Sequence, residues 1–392
     1  MTELLKKAHE LKGYCTEMRH TIHQNPEPSF KEFETTKLIK AELDKMGVEY
    51  LPLDIPTGVV AVIRGTKPGN RITALRADID ALQMPDLCGK EYASKNDGVA
   101  HACGHDGHTA VLLGVAKLLS GMRDQFSGTV KLVFQPAEEG LGGSKIILNS
   151  GGVDDVESIV CLHTWPYFKV GEIGAWGGKY MASSDRFLVK IIGQSGHGAR
   201  PYKAVNPITA AASAVSGLLN IVPNEIVTSE QAVISVCTIH AGVAFNVIPD
   251  AVEFGGTVRA LDPDVRDQLE ERIYRTVNGA AAMFGCRAEI DYEHGTPPLY
   301  NDPGLAAEVV AAGEKALGKE AIRELDGPVM GSEDFSFYLQ DKIEKGVFFR
   351  LGVGTGEEGE PTALHNSHFD FNDDAIPYGI ATMVQLVLDQ HQ

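Results

Sequence analysis

Apolar residues recur along the chain in two alternating patterns, one with helical spacing and one in short strand-like runs. Near the N-terminus, Leu4, Leu5, Ala8 and Leu11 follow one another at three- and four-residue steps, which predicts a helix. Beyond Gly47, short apolar runs predict strands near Val59–Ile63, Arg71–Arg76, Thr129–Phe134 and Ser158–Leu162, and a buried helix over Thr109–Leu119. This alternation of strands and helices favours a doubly wound α/β sheet.

The pattern changes near Ala182 and changes back after residue 295. In between it predicts the order β-α-β-β-α-β of a ferredoxin-like unit, over Arg186–Ile192, Pro207–Leu219, Ala232–His240, Val252–Ala260, Pro263–Phe284 and Arg287–Tyr292. A strand at Val347–Leu351 and a helix near Ile376–Leu388 then resume the first pattern. We therefore expect an α/β fold split over residues 1–182 and 295–392, with a ferredoxin-like α+β domain inserted at 183–294.

Composition and charge exclude several classes of function. The 392 residues are 43% hydrophobic and 22% charged, as in ordinary soluble proteins, and Lys+Arg 35 against Asp+Glu 53 gives a net charge of −18. Such an acidic surface repels phosphate and anionic lipid, so nucleic-acid and membrane partners are not expected. The N-terminus lacks the apolar core of a signal peptide, which predicts a cytoplasmic protein with six reduced cysteines.

Side chains that ligate metals concentrate in four short segments. These are His101–His108 (HACGHDGH), Gln135–Gly140 (QPAEEG), Cys161–Thr164 (CLHT) and His365–His368 (HNSH). Most of them follow predicted strands, and the carboxyl ends of parallel strands form one edge of an open sheet. Because thiol, imidazole and carboxylate ligands together suit Zn²⁺, Mn²⁺, Co²⁺ or Ni²⁺, the sequence predicts a transition-metal site there.

Each of these residues also has a purely structural interpretation. Cys103 could be a small packed residue, although its place two residues from His105 favours ligation. His163 could cap a strand and His365 could lie on an ordinary loop, whereas we expect His101 and His108 to support the ligands or make polar contacts. No GxxxxGK(S/T) loop and no Gly-x-Ser-x-Gly elbow is present, and the glycine-rich stretch Gly354–Gly359 is interpreted as an ordinary loop.

Glu138 and Glu139 are adjacent, and after the predicted strand we expect an extended chain on which they point apart. One could then bind metal while the other takes a proton from the attacking water, which is what hydrolysis requires. A thiol hydrolase that uses Cys103 with His105 as its base is an alternative, but it leaves both glutamates without a role.

Eight motifs in order resemble those of one enzyme family. They are Leu75–Leu82 (LRADIDAL), His101–Ala110 (HACGHDGHTA), Phe134–Gly140 (FQPAEEG), Ser195–Pro201 (SGHGARP), Phe245–Pro249 (FNVIP), Gly256–Arg259 (GTVR), Gly331–Phe335 (GSEDF) and His365–Asn366. Nearly the whole chain is similar to the hippurate hydrolase and indole-acetyl-amino-acid hydrolase branch of the aminoacylase/carboxypeptidase G metallopeptidases. The resemblance implies a split metallopeptidase-like catalytic domain with an inserted lid or dimerisation domain.

The resemblance also implies a set of site residues. Two divalent ions per subunit (Mn, Zn, Co or Ni) would be held by Cys103, His105, Glu139, His163 and His365. Glu138 would be the general base that later protonates the leaving amine, and Asp78 and Asp80 would support the ligands. The wider family has His where this chain has Arg76, and Cys103 would compensate for it.

Three residues of the inserted domain match family positions that act on the substrate. His197 would stabilise the oxyanion of a neighbouring subunit's reaction, in a homodimer or a dimer of dimers, although it could also be a hydrogen-bonded turn residue. Asn246 and Arg259 would hold the substrate carboxylate, although Arg259 could form a surface salt bridge. Tyr202 stands after Pro201 where many members have His, which could change lid contacts or acyl specificity.

The activity expected from this resemblance is hydrolysis of small N-acyl-L-amino acids, hippurate-like compounds first, by a metal-dependent amidohydrolase. N-acetyl-diaminopimelate deacetylase, aminobenzoyl-glutamate hydrolase and dipeptidase remain open as activities with the same mechanism. A metal-dependent binding protein without catalysis is a further alternative, which the presence of Glu138 beside the ligands disfavours.

Overall fold

The computed structural model describes residues 1–140, 142–324, 327–354 and 362–392. Its α-helices are α1 (Glu3–Glu10), α2 (Lys12–Gln24), α3 (Phe33–Lys45), α4 (His105–Ser120), α5 (Gly143–Asn149), α6 (Pro207–Glu225), α7 (Pro263–Met283), α8 (Pro303–Leu317), α9 (Ser336–Asp341) and α10 (Ile376–Gln390). Within the described residues, none of the helices has the length and apolarity that a membrane span requires.

The strands alternate with these helices in the first and last parts of the chain. They are β1 (Glu49–Tyr50), β2 (Val59–Arg64), β3 (Lys67–Asp78), β4 (Ser127–Gln135), β5 (Ser158–Lys169), β6 (Ile173–Gly174), β7 (Gly178–Met181), β8 (Asp185–Ile192), β9 (Gly196–His197), β10 (Ala232–Ala241), β11 (Val247–Ile248), β12 (Ala251–Ala260), β13 (Arg287–His294), β14 (Leu299–Asn301) and β15 (Lys345–Gly354).

The chain divides into two compact units. The first comprises 1–178, 300–326 and 337–392, and the second comprises 179–299 and 327–336. The second unit thus includes a short segment, 327–336, that is remote in sequence from the rest of it.

The first unit is built on a seven-stranded sheet in the order β1-β2-β4-β3-β5-β15-β6. The four central strands β4, β3, β5 and β15 are parallel to their neighbours in this group, and β1, β2 and β6 pair antiparallel at the edges. The central strands are buried along most of their length, which is why they appear in the sequence as continuous apolar runs. Their carboxyl ends lie at one edge of the sheet, where the polar segments follow.

Helix α4 lies within the core of the first unit and begins at the metal-ligand motif. Every residue from His105 to Ala116 is buried, so this part of the helix is enclosed on all sides. Lys117 near its end is exposed, and its ammonium lies 3.8 Å from the centre of the Tyr14 ring in a cation–π contact. The helix therefore fixes its first residues, including His105, against a rigid core.

The second unit has the predicted β-α-β-β-α-β order. Its antiparallel sheet runs β10-β12-β8-β13, and α6 and α7 pack with it in one apolar core that includes Phe254, Leu218 and Ile273. The α/β class predicted from the alternation of patterns is confirmed, with β5 extending seven residues beyond its expected end at Leu162.

Candidate metal centre and active site

The carboxyl ends of the central strands bring the first site residues together. In the parallel register of β3 and β4, Asp78 lies opposite Gln135, and Arg76 in β3 lies opposite Cys161 in β5. All four side chains are fully buried. Strand β5 continues past this point, so His163 lies within the strand rather than after it.

Cys103 and His105 are placed by the turn that begins α4. Gly104 between them has φ +84°, and a Cβ there would lie 2.6 Å from Thr164 Oγ1. Only glycine fits this left-handed and crowded position. The turn leaves the Cys103 sulfur 3.5 Å from Nε2 of His163, so thiol and imidazole from two segments meet in a buried place.

His105 is oriented by Asp80 and directs its second nitrogen into the site. Its Nδ1 donates a hydrogen bond to the backbone oxygen of Asp80 at 2.9 Å. Nε2 then lies 3.7 Å from Asp78 Oδ2 and 4.0 Å from Glu139 Oε1, and it is buried without a hydrogen-bond partner among the described residues. Glu139 Oε1 is likewise buried and makes no hydrogen bond within the part of the chain that the structure describes.

The electrostatics of this position favour a positive charge. Burial lowers the pKa of His105, but the charges of Asp78, Asp80 and Glu139 outweigh it and raise the pKa to about 10. Burial lowers the pKa of His163 well below its usual range, so that imidazole stays neutral. Since Nδ1 of His163 donates to the backbone oxygen of Thr164 at 2.8 Å, its Nε2 carries a lone pair toward Cys103.

Glu138 and Glu139 lie in a turn, so the expected extended chain is wrong. The turn follows Ala137, whose φ of +51° is rare for a residue with a side chain. The backbone N–H of Ala137 donates to the buried carboxylate of Glu32 at 2.8 Å, and those of Glu138 and Glu139 donate to Asp80 at 3.1 Å each. The two carboxylates consequently converge near His105 instead of pointing apart.

His365 reaches the site from a loop of the last part of the chain. Its φ is +60°, and its backbone N–H donates to Ala102 O at 2.9 Å, next to Cys103. Its Nε2 lies 3.2 Å from Glu139 Oε1. The side chain remains about half exposed, so this corner of the site is open to solvent.

These residues fit a metal centre by position and by chemistry. Ligand atoms lie within 4.8 Å of one another in three overlapping groups, which are Cys103–His105–His163, Cys103–Glu139–His365 and His105–Glu138–Glu139. Over residues 1–140, 142–324, 327–354 and 362–392, two buried atoms among them, His105 Nε2 and Glu139 Oε1, lack the hydrogen bond that buried polar atoms ordinarily make. A thiol, imidazoles and carboxylates around such atoms are a donor set for divalent transition metals.

His108, Arg76 and Asp78 support the site from behind. His108 accepts the backbone N–H of Thr164 at Nε2 and donates from Nδ1 to Asp78 Oδ1 at 2.6 Å, so both its nitrogens are engaged. Arg76 donates to Asp78 Oδ2 at 2.6 Å and to Gln135 Oε1 at 2.9 Å. Burial raises the pKa of Asp78, but the charges of His105, Arg76 and His108 lower it well below its usual range.

The remaining three predicted residues lie in the second unit. His197 in β9 is exposed, and its Nδ1 accepts the Ala199 N–H at 3.0 Å. Exposed Asn246 lies alongside, because its backbone oxygen accepts the Gly198 N–H at 2.8 Å. Half-buried Arg259 in β12 lines a separate groove of about 590 Å³ and donates to Thr257 Oγ1 and Val258 O.

Two supporting residues were absent from the sequence prediction. Glu32 accepts hydrogen bonds from the N–H groups of Ala137 and Phe30 and from Thr57 Oγ1, and Ser29 donates to Asp80 at 2.6 Å. Both stand in a proline-flanked polar segment that has no metal-ligand pattern. The sequence carries no local signal that such residues fold onto the Ala137 turn.

The chain belongs to peptidase family M20/M25/M40, because residues 74–389 match the sequence model of this family. The family resemblance found in the motifs is thereby confirmed, and with it the prediction of a metal-dependent amidohydrolase.

Relatives of known type agree over nearly the full length. The chain is 39% identical to IAA-amino acid hydrolase ILR1-like 4 of Arabidopsis thaliana, covering 96% of this chain and 85% of the relative. It is also 39% identical to N-acetylcysteine deacetylase of Bacillus subtilis, covering 92% of each. The solved structure of the Bacillus subtilis YXEP protein, a dinuclear metal-binding peptidase of the M20 family, has a TM-score of 0.84 at 34% identity, covering 98% of this chain and 99% of that one.

Proposed function

We propose that this chain hydrolyses the amide bond of small N-acyl-L-amino acids, hippurate-like compounds first, to a carboxylic acid and a free amino acid. The observation that carries the proposal is the convergence of metal-ligand atoms around buried Glu138, with one corner open to solvent at His365. Amide hydrolysis needs an activated water and a group that takes its proton. The names of the two relatives above, which describe an amino-acid conjugate and an N-acetyl amino acid, support this substrate class.

The metal centre in this proposal holds two divalent ions per subunit, of Mn, Zn, Co or Ni. Their ligands are Cys103, His105, Glu139, His163 and His365. When bound, the ions supply a nucleophile from water at neutral pH and polarise the scissile carbonyl.

Glu138 moves the proton in the proposed reaction. Its carboxylate accepts the proton of the attacking water and then returns it to the nitrogen of the leaving amine. The backbone contact of Glu138 with Asp80 holds this carboxylate in place, and burial of the residue excludes bulk water from the transfer. His105 and Glu139 stay in place as its neighbours throughout the step.

The second unit supplies the substrate contacts in this account. With Nδ1 of His197 accepting a hydrogen bond, Nε2 carries the proton and can donate to the oxyanion of the tetrahedral state. Asn246 and Arg259 bind the substrate carboxylate, for which the guanidinium fork of arginine is well suited. His197 acts on the neighbouring subunit's substrate, so the enzyme functions as a homodimer or a dimer of dimers.

Release of free amino acid from a panel of N-acyl amino acids, with each metal and with excess chelator, tests the proposal. We expect chelator-sensitive hydrolysis and a roughly 10²–10⁴-fold lower kcat in Glu138→Gln, which keeps its metal but cannot accept the proton. Glu10→Gln, at an exposed position of α1, is the matched control and should leave kcat unchanged.

The other outcomes distinguish the alternatives. Hydrolysis that survives chelation would replace the proposal with a thiol mechanism at Cys103, and binding without turnover under every metal would replace it with a binding protein. If hydrolysis depends on metal, the substrate that is cleaved fastest distinguishes the possible activities. These are hydrolysis of hippurate-like substrates, of N-acetyl-diaminopimelate, of aminobenzoyl-glutamate and of dipeptides. Mixing inactive His197→Ala and Glu138→Gln subunits should restore part of the activity if sites are shared, and no recovery despite measured subunit exchange would contradict the shared site.

A further inference from the structure

A second cluster of metal-ligand side chains lies in the first unit and uses none of the residues assigned to the active site. Nε2 of buried His23 in α2 is 3.3 Å from Asp86 Oδ2 and 3.9 Å from Cys88 Sγ. One ligand atom from each of the three residues lies within 4.8 Å of the other two. Imidazole, carboxylate and thiol form a donor set of the kind that zinc takes.

The imidazole of His23 is oriented as a ligand would be. Its Nδ1 donates a hydrogen bond to Asp106 Oδ2 at 2.7 Å. A carboxylate on the far nitrogen is the usual outer partner of a metal-bound histidine, because it fixes the ring and makes the near nitrogen more basic. The near nitrogen, Nε2, is the one that faces Asp86 and Cys88.

The carboxylate and the thiol are held by their own loop. Asp86 accepts the backbone N–H of Cys88 at 2.9 Å and that of Ser94 at 2.7 Å, so its orientation is fixed before any ion binds. The flanking residues Leu87 and Gly89 are exposed, which gives an ion a path from solvent.

The surroundings of the cluster carry an excess of negative charge. Arg19 beside it is already paired with Asp106, Asp370 and Asp373 at 3.6, 3.0 and 3.0 Å, and Lys90 lies 3.8 Å from Asp370 Oδ2. Asp86 adds a further carboxylate. Close to the cluster, neither ring nitrogen of buried His101 has a hydrogen-bond partner among the described residues, and its ring centre is 6.3 Å from that of His23.

We propose that His23 Nε2, the Asp86 carboxylate and Cys88 Sγ bind a third divalent transition-metal ion, of the zinc type. The ion links α2 to the loop that holds Asp86 and Cys88. That loop is also tied to the His365 segment, since Leu87 N–H donates to Ser367 O at 2.7 Å. Asp106 directly follows His105, so the ion stiffens two of the segments that form the active site.

Metal content and cobalt spectroscopy of the full-length protein test this site. Wild-type protein saturated with Zn²⁺ and then dialysed should contain about one equivalent more zinc than Cys88→Ser, measured by elemental analysis. In a Cys103→Ser background, Co²⁺ should still produce a thiolate-to-metal charge-transfer band, and adding Cys88→Ser should abolish the band. Cys286→Ser, in the second unit, is the matched control and should change neither quantity.

Two results would overturn the proposal. One is equal zinc content in wild type and Cys88→Ser, and the other is the absence of a thiolate band in the Cys103→Ser background. If Cys88→Ser folds poorly, the test uses the wild-type protein instead. The rate at which Cys88 is alkylated is then measured with and without Zn²⁺. Protection of Cys88 would support the site, and alkylation at the same rate with and without Zn²⁺ would contradict it.

Discussion

Each unit of the molecule buries a cluster of charged groups, and the two clusters differ in how their polar atoms are satisfied. In the second unit, Asp185 is fully buried and accepts hydrogen bonds from Arg266 Nε at 2.9 Å, from the Tyr292 hydroxyl at 3.1 Å and from the Gly295 N–H at 3.1 Å. In the described part of the first unit, buried His105 Nε2 and Glu139 Oε1 make no hydrogen bond, and His365 Nε2 lies 3.2 Å from the latter.

The difference shows that burial of charge alone does not mark a functional site. A closed network such as that of Asp185 fixes a fold, because every charge already has its complement. Unpartnered atoms cost stability unless something else binds them, typically about 1–3 kcal/mol for each group. In the proposed function, a bound metal ion would be that partner for His105 and Glu139.

Removing a member of the closed network should give the largest change in stability. Asp185→Ala leaves the Arg266 guanidinium buried without its counter-charge, and we expect the free energy of unfolding to fall by about 3–5 kcal/mol. Denaturant unfolding followed by circular dichroism measures it. Arg186 lies next to Asp185 on β8 and forms an exposed ion pair with Glu293 of β13. Arg186→Ala removes this pair and should lower the free energy of unfolding by less than about 1 kcal/mol. Equal losses in the two variants would refute the contrast.

A change in the open cluster should instead act on metal binding. We expect Cys103→Ser to weaken the binding of one metal ion by about 100-fold or more. Even the loss of a residue that only supports a ligand typically lowers metal affinity 10–100-fold. The unfolding free energy of the metal-free protein should change little, because serine is nearly isosteric with cysteine. Titration calorimetry with Zn²⁺ measures the affinity, and an unchanged affinity would remove Cys103 from the site.

Asp80 links the ligands without binding metal in this account, so its effect should be smaller. Asp80→Asn weakens the hold on the turn of Glu138 and Glu139, and we expect metal affinity to fall by roughly 10–100-fold. Asp44→Asn, on the exposed side of α3, serves as control. A loss limited to stability, with affinity intact, would show that Asp80 only maintains the fold.

Lowering the pH should have the smallest effect on the free energy of unfolding. The pKa of Asp80 determines the sign of that effect. Burial raises the pKa of Asp80, but the hydrogen bond and charge of His105 outweigh it, so the folded pKa lies below the ordinary value of about 3.9. The stabilisation that this carboxylate contributes to the folded state is therefore complete above about pH 3.9 and is lost as the pH falls through the folded pKa. In chelator, unfolding free energy between pH 5 and about 3 should fall less steeply in Asp80→Asn. Parallel slopes would contradict this assignment.

Much of the fold follows from apolar patterning. The continuous apolar runs of β3, β4 and β5 are visible in the sequence because these strands are buried on both faces. The extension of β5 through His163 and Pro166 is not visible, since it depends on pairing with β15, which is almost two hundred residues away. Element ends that depend on such distant partners lie outside local patterns.

The site was predictable in its residue types and not in its geometry. The motifs placed Cys103, His105 and the two glutamates near strand ends. The positive φ of Ala137 and the buried Glu32 that holds its N–H were not predictable, because neither leaves a pattern in the sequence. The family resemblance implied the set of ligands, which stays a prediction, and the buried atoms His105 Nε2 and Glu139 Oε1, which make no hydrogen bond among the described residues, support two of them.

Anomalous diffraction at the zinc edge, from a crystal of the wild-type protein grown with Zn²⁺, tests most directly whether unpartnered buried atoms mark the metal centre. We expect anomalous peaks at about 2.0–2.3 Å from His105 Nε2, Glu139 Oε1 and Cys103 Sγ, and none at the closed network of Asp185. Peaks that leave all three of these atoms without a metal neighbour would contradict it.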